Sequence, residues 1–332
     1  MSITSTRSIR TLNPSETRLL NALSVAGKTT FTAEEAQSIA GGEVSNLPRL
    51  LSRLTQKRWL LRLELGKYLI LPLAACMEGA YTAHEFVLAS RLVQPYAIAY
   101  WSALHFHGFT EQIPQTVTVL SPLRRRDVAV EELGFRCHFV YTAAERFFGA
   151  TTAIVDDQPV VITDPARTIL DCLDRPDLCG GIIEAAKGMY GYVRRSDASP
   201  QRLTEYASRL GNQAVLKRLG YLASLFDLAM EFPGAGWSDV LNNWAAHLSA
   251  GFVRLDPRLP AEGPYDRRWR LRLNVSETRL TEWLQTLFSV VTNCGAWPLG
   301  VTWVWACWRK STFWSSSCVP SAQMRYYARP WC

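Results

Sequence analysis

The 332-residue sequence predicts an α+β protein built from more than one domain. Its length exceeds what one hydrophobic core usually organises, and helical and strand-type periodicities occur in different parts of the chain. Apolar residues make up 48% of the sequence and charged residues 20%, which excludes a disordered or fibrous protein. We expect domains at residues 1–75 and 76–282, followed by an atypical segment at residues 283–332.

The positive charge of the chain is concentrated at its two ends. The net charge is +7 overall, and residues 1–75 hold ten basic and five acidic side chains. Residues 76–282 hold 22 basic and 24 acidic side chains, whereas residues 283–332 hold four basic ones and no acid. A polyanionic partner would therefore be met by the N-terminal segment rather than by the middle of the chain.

Three helices are predicted in the first 57 residues. Residues 13–16, Asn-Pro-Ser-Glu, combine a capping side chain, a first-turn proline and a capping-box glutamate. Thr32 opens a second, short helix in the same way, and this helix stops at Gly41. The third helix is predicted from Ser45 to Lys57. Its apolar residues share one side and its polar and basic residues another; the apolar ones are Leu47, Leu50, Leu51 and Leu54.

Residues 59–71 predict two short strands that turn near Gly66. Three helices followed by a hairpin is the order of a winged helix-turn-helix, whose third helix enters the DNA major groove. The predicted DNA-contacting residues are Ser45, Asn46, Arg49, Ser52, Arg53, Lys57, Arg58, Arg62 and Lys67. Asn46, Arg49 and Arg53 are the candidates for reading bases, because Arg forks onto guanine and Asn onto adenine. The alternative is that these cations only solvate a surface helix.

Residues 76–282 predict a mixed domain with strands mostly early and helices mostly late. Strands are expected at 115–120, 135–141 and 160–162. Helices are expected at 81–92, 100–112, 165–174, 180–190, 199–210 and 212–232. Between the first two strands lies a basic loop with Arg124, Arg125 and Arg126, which is either a second nucleic-acid contact or a solvated loop.

Two motifs in this domain resemble the AbiEi-type antitoxin family of type IV toxin–antitoxin systems. They are YWSALHFHGFTEQ at 100–112 with the following P-x-T-V-x-V strand, and ITDPARTILDCLDRPDLCGG at 162–181. The resemblance covers about residues 12–280 and includes Leu255-Asp256-Pro257 and Arg268-Trp269-Arg270-Leu271. It implies an N-terminal winged helix-turn-helix followed by a mixed α/β domain of the antitoxin type.

The resemblance also implies a function linked to phage abortive infection. Members of this family repress their own promoter by binding its repeats in double-stranded DNA, and they neutralise a nucleotidyltransferase-like toxin without forming a stable complex with it. Composition and spacing in this chain do not predict the second activity. An ordinary winged-helix regulator, whose middle domain binds a small ligand or a protein partner, is the alternative.

An enzymatic middle domain is the third hypothesis. His105, His107, Glu111, Asp164 and Asp171 could be imagined as a metal site or an acid–base pair. Two histidines two positions apart point away from each other on a helix, and no phosphate loop or nucleophile motif occurs. We expect one histidine to pack against aromatic rings, Asp164 to cap a helix and Asp171 to face Arg167. We predict no catalytic residue, no metal and no cofactor.

The last fifty residues differ abruptly in composition. Residues 283–332 contain seven of the twelve tryptophans and four of the eight cysteines. The uncharged stretch 283–308 has the length of a membrane span, but Asn293, Gly295, Pro298 and Gly300 interrupt it, so we do not expect it to cross a bilayer. A reading-frame shift that replaced a native end would explain this segment. The N-terminus has no apolar leader and the cysteines form no C-x-x-C pair, which predicts a reduced, cytoplasmic protein.

Overall fold

The structure is a computed structural model that describes residues 11–41, 46–71, 84–131, 134–232 and 235–293. Met1–Leu280 form one compact unit, and a second unit begins at Thr281. The predicted α+β class is confirmed, since several helices are combined with three sheets. The predicted domain boundaries at 75 and 283 stay predictions. Most of the tryptophan-rich segment, residues 294–332, lies outside the described residues.

The N-terminal segment contains the predicted helices and hairpin and one further strand. Its elements are α1 (Pro14–Val25), β1 (Thr30–Thr32), α2 (Ala33–Ile39), α3 (Leu47–Gln56), β2 (Leu60–Glu64) and β3 (Lys67–Ile70). Both predicted capping boxes are confirmed, one between Asn13 and Glu16 and the other between Thr32 and Glu35. Each box satisfies two backbone N–H groups that the first helical turn leaves without partners. The local sequence therefore fixes where α1 and α2 begin.

Strands β1, β3 and β2 form an antiparallel sheet in that order, and this sheet belongs to two hydrophobic cores. Successive side chains on a strand point to opposite faces. Tyr68 and Ile70 therefore pack with Leu60 against the core of the three helices. Leu69, which pairs with Leu61, packs into the core of the middle part of the chain. The hairpin is thus covered on both sides.

The middle part contains a mixed six-stranded sheet in the order β6-β7-β5-β4-β9-β8. Its strands are β4 (Ala97–Ile98), β5 (Val117–Ser121), β6 (Val128–Val130), β7 (Phe135–Tyr141), β8 (Ala150–Val155) and β9 (Gln158–Thr163). β5 pairs with β7 and β4 with β9 in parallel, and the other pairs are antiparallel. Two short helices accompany the sheet, α4 (Glu85–Ser90) and α5 (Tyr100–Phe106). The strand predicted at 135–141 is confirmed.

Helices dominate after the sheet, as predicted. They are α6 (Pro165–Asp174), α7 (Ile182–Val193), α8 (Pro200–Leu210), α9 (Gln213–Leu225), α10 (Leu228–Glu231) and α11 (Trp237–Ala246). The helix predicted at 165–174 has those bounds, but the one predicted at 212–232 is wrong in being continuous. Asp227 adopts φ = 50°, in the left-handed region, and separates α9 from α10. Aspartate tolerates the left-handed conformation better than most residues, so the chain leaves the helix before Leu228 although the apolar spacing predicts one continuous helix.

A small sheet and a last helix complete the described part of the chain. The sheet consists of β10 (Val253–Arg254), β11 (Tyr265–Asp266) and β12 (Leu271–Arg272), with β12 in the centre. Helix α12 spans Glu277–Asn293. Within the described ranges, no helix combines the length and the apolar character needed to cross a membrane.

A buried ion pair lies in the interior of the middle part, on α6. The Arg167 Nε donates to Asp171 Oδ1 at 2.8 Å, and both side chains are 2% exposed. Arg167 Nη1 also donates to the backbone carbonyls of Arg146 and Phe148. The predicted contact between Asp171 and Arg167 is therefore confirmed. Burial raises the pKa of Asp171 to about 6, although Arg167 acts in the opposite direction.

Candidate nucleic-acid interface

Helix α3 is amphipathic, with the leucines predicted for its core side all buried. Leu47, Leu50, Leu51 and Leu54 pack against α1 and α2 in the N-terminal core. Asn46, Arg49, Ser52 and Arg53 are exposed on the other side. The helix contains two arginines and no carboxylate between Leu47 and Gln56. Its solvent side therefore carries a net positive charge.

Asn46 has a structural role at the start of α3. Its Oδ1 accepts a hydrogen bond from the Arg49 backbone N–H at 3.2 Å, so Asn46 is the N-cap of the helix. Its side-chain NH2 group is the part that remains for another acceptor. The Arg49 side chain is exposed and has no acidic partner among the described residues. Ser45, also a predicted DNA contact, lies outside the described residues.

The end of α3 is tied to the start of α1 by a buried carboxylate. Glu16 is 0% exposed, and its Oε2 accepts hydrogen bonds from Lys57 Nζ at 2.7 Å and from the Asn13 backbone N–H at 2.9 Å. Arg53 Nε lies 3.6 Å from Glu16 Oε1. Burial opposes the charge on Glu16, but the bonds from Lys57 and Asn13 outweigh it and hold the pKa below its usual value.

This geometry corrects the interpretation of Lys57 as a fully exposed cation beside Arg49 and Arg53. The Lys57 side chain is one-third exposed and its ammonium binds Glu16 and the Thr11 carbonyl. A cation that neutralises a buried acid has less to offer a phosphate, so we leave Lys57 out of the proposed contacts. The local sequence predicts the capping role of Glu16. It does not predict the pairing with Lys57, because that partner lies 41 positions away in the chain.

We expect Glu16→Gln to lower the free energy of unfolding by about 1–3 kcal/mol at neutral pH, because a hydrogen-bonded charge is lost from the interior. Since the folded-state pKa of Glu16 is lowered, its contribution is present above the unfolded pKa and disappears as pH falls through the folded one. The difference between wild type and variant should therefore shrink below about pH 4. Urea denaturation across pH checks this, and a pH-independent difference would contradict it.

The predicted hairpin cations, Arg62 and Lys67, lie on opposite faces of their sheet. Arg62 pairs with Tyr68, is exposed and shares the face that carries the three helices. Lys67 has the parity of Leu69 and is half-buried, and its Nζ donates to the Leu92 carbonyl at 2.9 Å. The prediction that Lys67 is exposed on the hairpin is therefore wrong, because the pleat turns it toward the middle part of the chain.

Arg58 follows α3 directly and is exposed, with φ = 55°. It stands in the left-handed region where the chain turns from α3 into β2. Arg58 therefore lies in the chain between the helix and the hairpin, the two elements with the other predicted contacts. Its role in binding DNA stays a prediction.

The three arginines of the basic loop have different surroundings. Arg125 Nη2 donates to the Leu92 carbonyl at 2.9 Å, the same oxygen that accepts from Lys67. This shared acceptor places the basic loop beside the hairpin. Arg124 is exposed, with its guanidinium carbon 4.3 Å from the centre of the Tyr141 ring, and Arg126 is exposed as well. Arg125 is thus a structural link, whereas Arg124 and Arg126 face solvent.

Two of the residues considered for an enzymatic site, His107 and Asp164, make structural contacts. The His107 ring contacts Phe106 and Phe109, and its Nε2 lies 2.8 Å from the Thr163 carbonyl. Burial lowers the pKa of His107. Asp164 Oδ1 accepts from the Arg167 backbone N–H and so caps α6, as predicted. Within the described ranges, no group of three His, Cys, Asp or Glu side chains is placed to hold a metal ion.

Comparison with known proteins gives a likeness of fold. No family model matches the chain. No curated protein matches it either. Among solved structures, a crystal structure of the RV2827C protein from Mycobacterium tuberculosis is similar, with a TM-score of 0.59 and 14% sequence identity. The match covers 86% of this chain and 99% of that one. At this identity the similarity shows a shared fold.

Proposed function

We propose that this protein is a double-stranded DNA-binding transcriptional regulator whose N-terminal segment is a winged helix-turn-helix. The observation that carries the proposal is the solvent side of α3, which presents Arg49 and Arg53 without any carboxylate in the helix. The element order supports it: α3 follows a short α2 and precedes the β2–β3 hairpin, as in proteins that place the third helix in the major groove. Asn46, Arg49, Ser52 and Arg53 would face bases and phosphates, and Arg58 and Arg62 the flanking backbone.

We further propose that the regulator represses its own promoter and acts as the antitoxin of a nucleotidyltransferase-like toxin. This part rests on the resemblance to the AbiEi-type family. The two middle motifs that carry the resemblance form connected core elements: residues 100–106 are α5, and residues 162–174 are the end of β9 with α6. In the stretch Arg268-Trp269-Arg270-Leu271, which the resemblance includes, Trp269 is 1% exposed and lies against Gly220 of α9. These residues support a family-type fold, and the toxin partner remains the part to be tested.

Binding of duplex DNA from upstream of the gene tests the first part of the proposal. About six phosphate contacts predict that log K against log salt falls with a slope of about −5 to −6; they come from Arg49, Arg53, Arg58, Arg62 and the basic-loop residues Arg124 and Arg126. Fluorescence anisotropy across a range of salt concentrations measures the slope. Failure of the purified chain to bind any duplex in dilute buffer would remove the proposal.

Growth tests the antitoxin part. The proposal predicts a neighbouring nucleotidyltransferase-like gene whose expression arrests growth, and co-expression of this chain should restore growth. Restored growth with a variant that no longer binds DNA would separate neutralisation from repression. DNA binding without rescue would favour the alternative, a winged-helix regulator whose middle domain serves another ligand or partner.

Arg124 and Arg126 are expected to extend the DNA contact beyond the winged helix. The shared Leu92 carbonyl holds their loop beside the hairpin, on the side away from α3, so a duplex that extends past the hairpin would meet the loop. Asp127, the acid next to them, is engaged by His138 and the Phe139 backbone N–H. We therefore expect Arg124→Ala plus Arg126→Ala to make the salt slope about two units shallower.

The control for charge alone is Arg202→Ala plus Arg209→Ala, which removes two exposed arginines from α8. It should leave the slope nearly unchanged. Equal slopes for wild type and the Arg124/Arg126 variant would show that this loop is only solvated.

A further inference from the structure

The small sheet β10-β12-β11 has one face directed into the protein. Leu271 of the central strand β12 is 0% exposed. It pairs with Val253 on one side and with Asp266 on the other, so these three residues share that face. The Asp266 carboxylate is already hydrogen-bonded, because its Oδ1 accepts from the Trp269 backbone N–H at 2.6 Å. The adjacent position on each strand therefore points to the opposite face of the sheet.

The opposite face of the same sheet presents two aromatic rings and two arginines to solvent. Arg254, Arg272 and Tyr265 are aligned across the three strands. Phe252 comes two positions before Arg254 and so has the same parity. Phe252 is 48% exposed and Tyr265 is 55% exposed. Their ring centres are 5.0 Å apart and their planes are at 76°.

Arg272 contacts one of these rings, and both arginines retain unused donors. The Arg272 guanidinium carbon lies 4.6 Å from the Tyr265 ring centre, and its Nη1 donates to the Tyr265 hydroxyl at 2.6 Å. Its Nε is buried and has no hydrogen-bond acceptor. Arg254 Nη1 donates to the Leu259 carbonyl at 2.9 Å. A guanidinium has five N–H groups, so each arginine can still bind an anion.

Two of the three acids between Phe252 and Arg272 are engaged away from that face. Asp256 is buried and accepts from Arg258 Nη2 at 3.0 Å. Asp266 lies on the opposite face, and Glu262 stands in the loop between β10 and β11. The face itself therefore combines exposed aromatic surface with positive charge.

We propose that Phe252, Arg254, Tyr265 and Arg272 form a binding surface for a single-stranded nucleic acid. Bases stack on exposed aromatic side chains of a sheet, and arginines beside them bind the phosphates. Duplex DNA does not fit this chemistry as well, since its bases are already stacked on one another. The absence of a carboxylate from the described face favours a polyanion over an apolar partner. This surface is separate from α3 and would act in addition to it.

The test measures binding of labelled oligothymidine and oligouridine of about 12 nucleotides to the full chain. The Arg49→Ala plus Arg53→Ala variant is the background, so that α3 does not contribute to the signal. Adding Phe252→Ala and Tyr265→Ala should weaken binding about tenfold or more, because stacking on both rings is lost. Equal binding of the two oligomers indicates stacking without a 2′-hydroxyl contact, and a preference for oligouridine identifies RNA as the source.

Tyr265→Phe is the matched control, since it keeps the ring and removes only the hydroxyl that binds Arg272. It should bind within about twofold of the background protein. Thermal unfolding of every variant shows whether the sheet is retained. The proposal is overturned if the background protein binds neither oligomer in dilute buffer, or if the ring variant folds and binds as before. Binding of polyglutamate in place of both oligomers would also overturn it and would indicate an acidic protein partner.

Discussion

Arg49→Ala combined with Arg53→Ala is expected to weaken binding of duplex DNA about 30-fold or more. Both side chains are exposed on α3, and each arginine that forks onto a guanine or a phosphate contributes about 1–3 kcal/mol. The two leucine positions between them remain buried in the core, and Lys57 still neutralises Glu16 when Arg53 is removed, so the helix should keep its place. Anisotropy with the upstream duplex, at fixed salt, measures the loss.

The double variant on α8, Arg202→Ala with Arg209→Ala, removes the same charge from a different surface and controls for long-range electrostatics. It should bind DNA nearly as wild type does. If the α3 variant binds DNA as tightly as wild type while wild type binds well, the contact lies elsewhere and α3 is not the recognition helix.

Arg167→Met is expected to lower the free energy of unfolding by about 3–5 kcal/mol at neutral pH. The change leaves Asp171 buried without its cation, which is more costly than removing both partners of a buried pair. It also takes a donor from the carbonyls of Arg146 and Phe148. Urea denaturation with linear extrapolation measures the change.

The pH dependence of this effect has a defined sign. Because burial raises the pKa of Asp171 from 3.8 to about 6, the neutral acid is favoured in the folded state. The corresponding stability is full below the unfolded pKa and is lost as pH rises through about 6. The penalty for Arg167→Met should therefore be smaller at pH 5 than at pH 7, since protonated Asp171 needs no cation.

Arg209→Met provides the comparison for Arg167→Met. Both guanidinium groups lie over the Phe148 ring, at 3.7 Å for Arg209 and 4.3 Å for Arg167. Arg209 is exposed, however, and no ion pair joins it to a buried acid in the described part of the chain. Loss of an exposed cation–π contact costs about 1 kcal/mol or less. Equal destabilisation by the two substitutions would show that the ring contact, and not the ion pair, makes Arg167 important.

Local signals predicted the parts of this fold in which neighbouring residues decide the conformation. The helix 165–174 follows from Asp164 as cap and Pro165 in the first turn, and both act within one helical turn. The leucine face of α3 follows from its spacing. Lys67 and Leu69 are two positions apart, so the sequence places them on one face of the strand. That this face is buried depends on a second core behind the hairpin, which only the structure reveals.

Other features depend on residues that are distant in sequence. The pairing of Glu16 with Lys57 spans 41 positions, and no local sequence pattern predicts it. Strands β4 and β6 have only two and three residues, which is too short for an alternating pattern to appear. The aromatic and arginine face of β10-β12-β11 likewise requires three dipeptides to meet in register. Tertiary pairing creates these sites.

The hairpin that follows α3 contributes side chains to both hydrophobic cores. Leu61, Leu63 and Leu69 fill the space beneath the six-stranded sheet, while Leu60 closes the helical cluster. Cutting the chain after residue 75 would expose these three leucines to water, so we expect the isolated N-terminal segment to be less stable than the same segment in the whole chain. Conversely, a ligand or partner that shifts the six-stranded sheet would also move the strand that carries Arg62, one of the proposed DNA contacts, without touching α3.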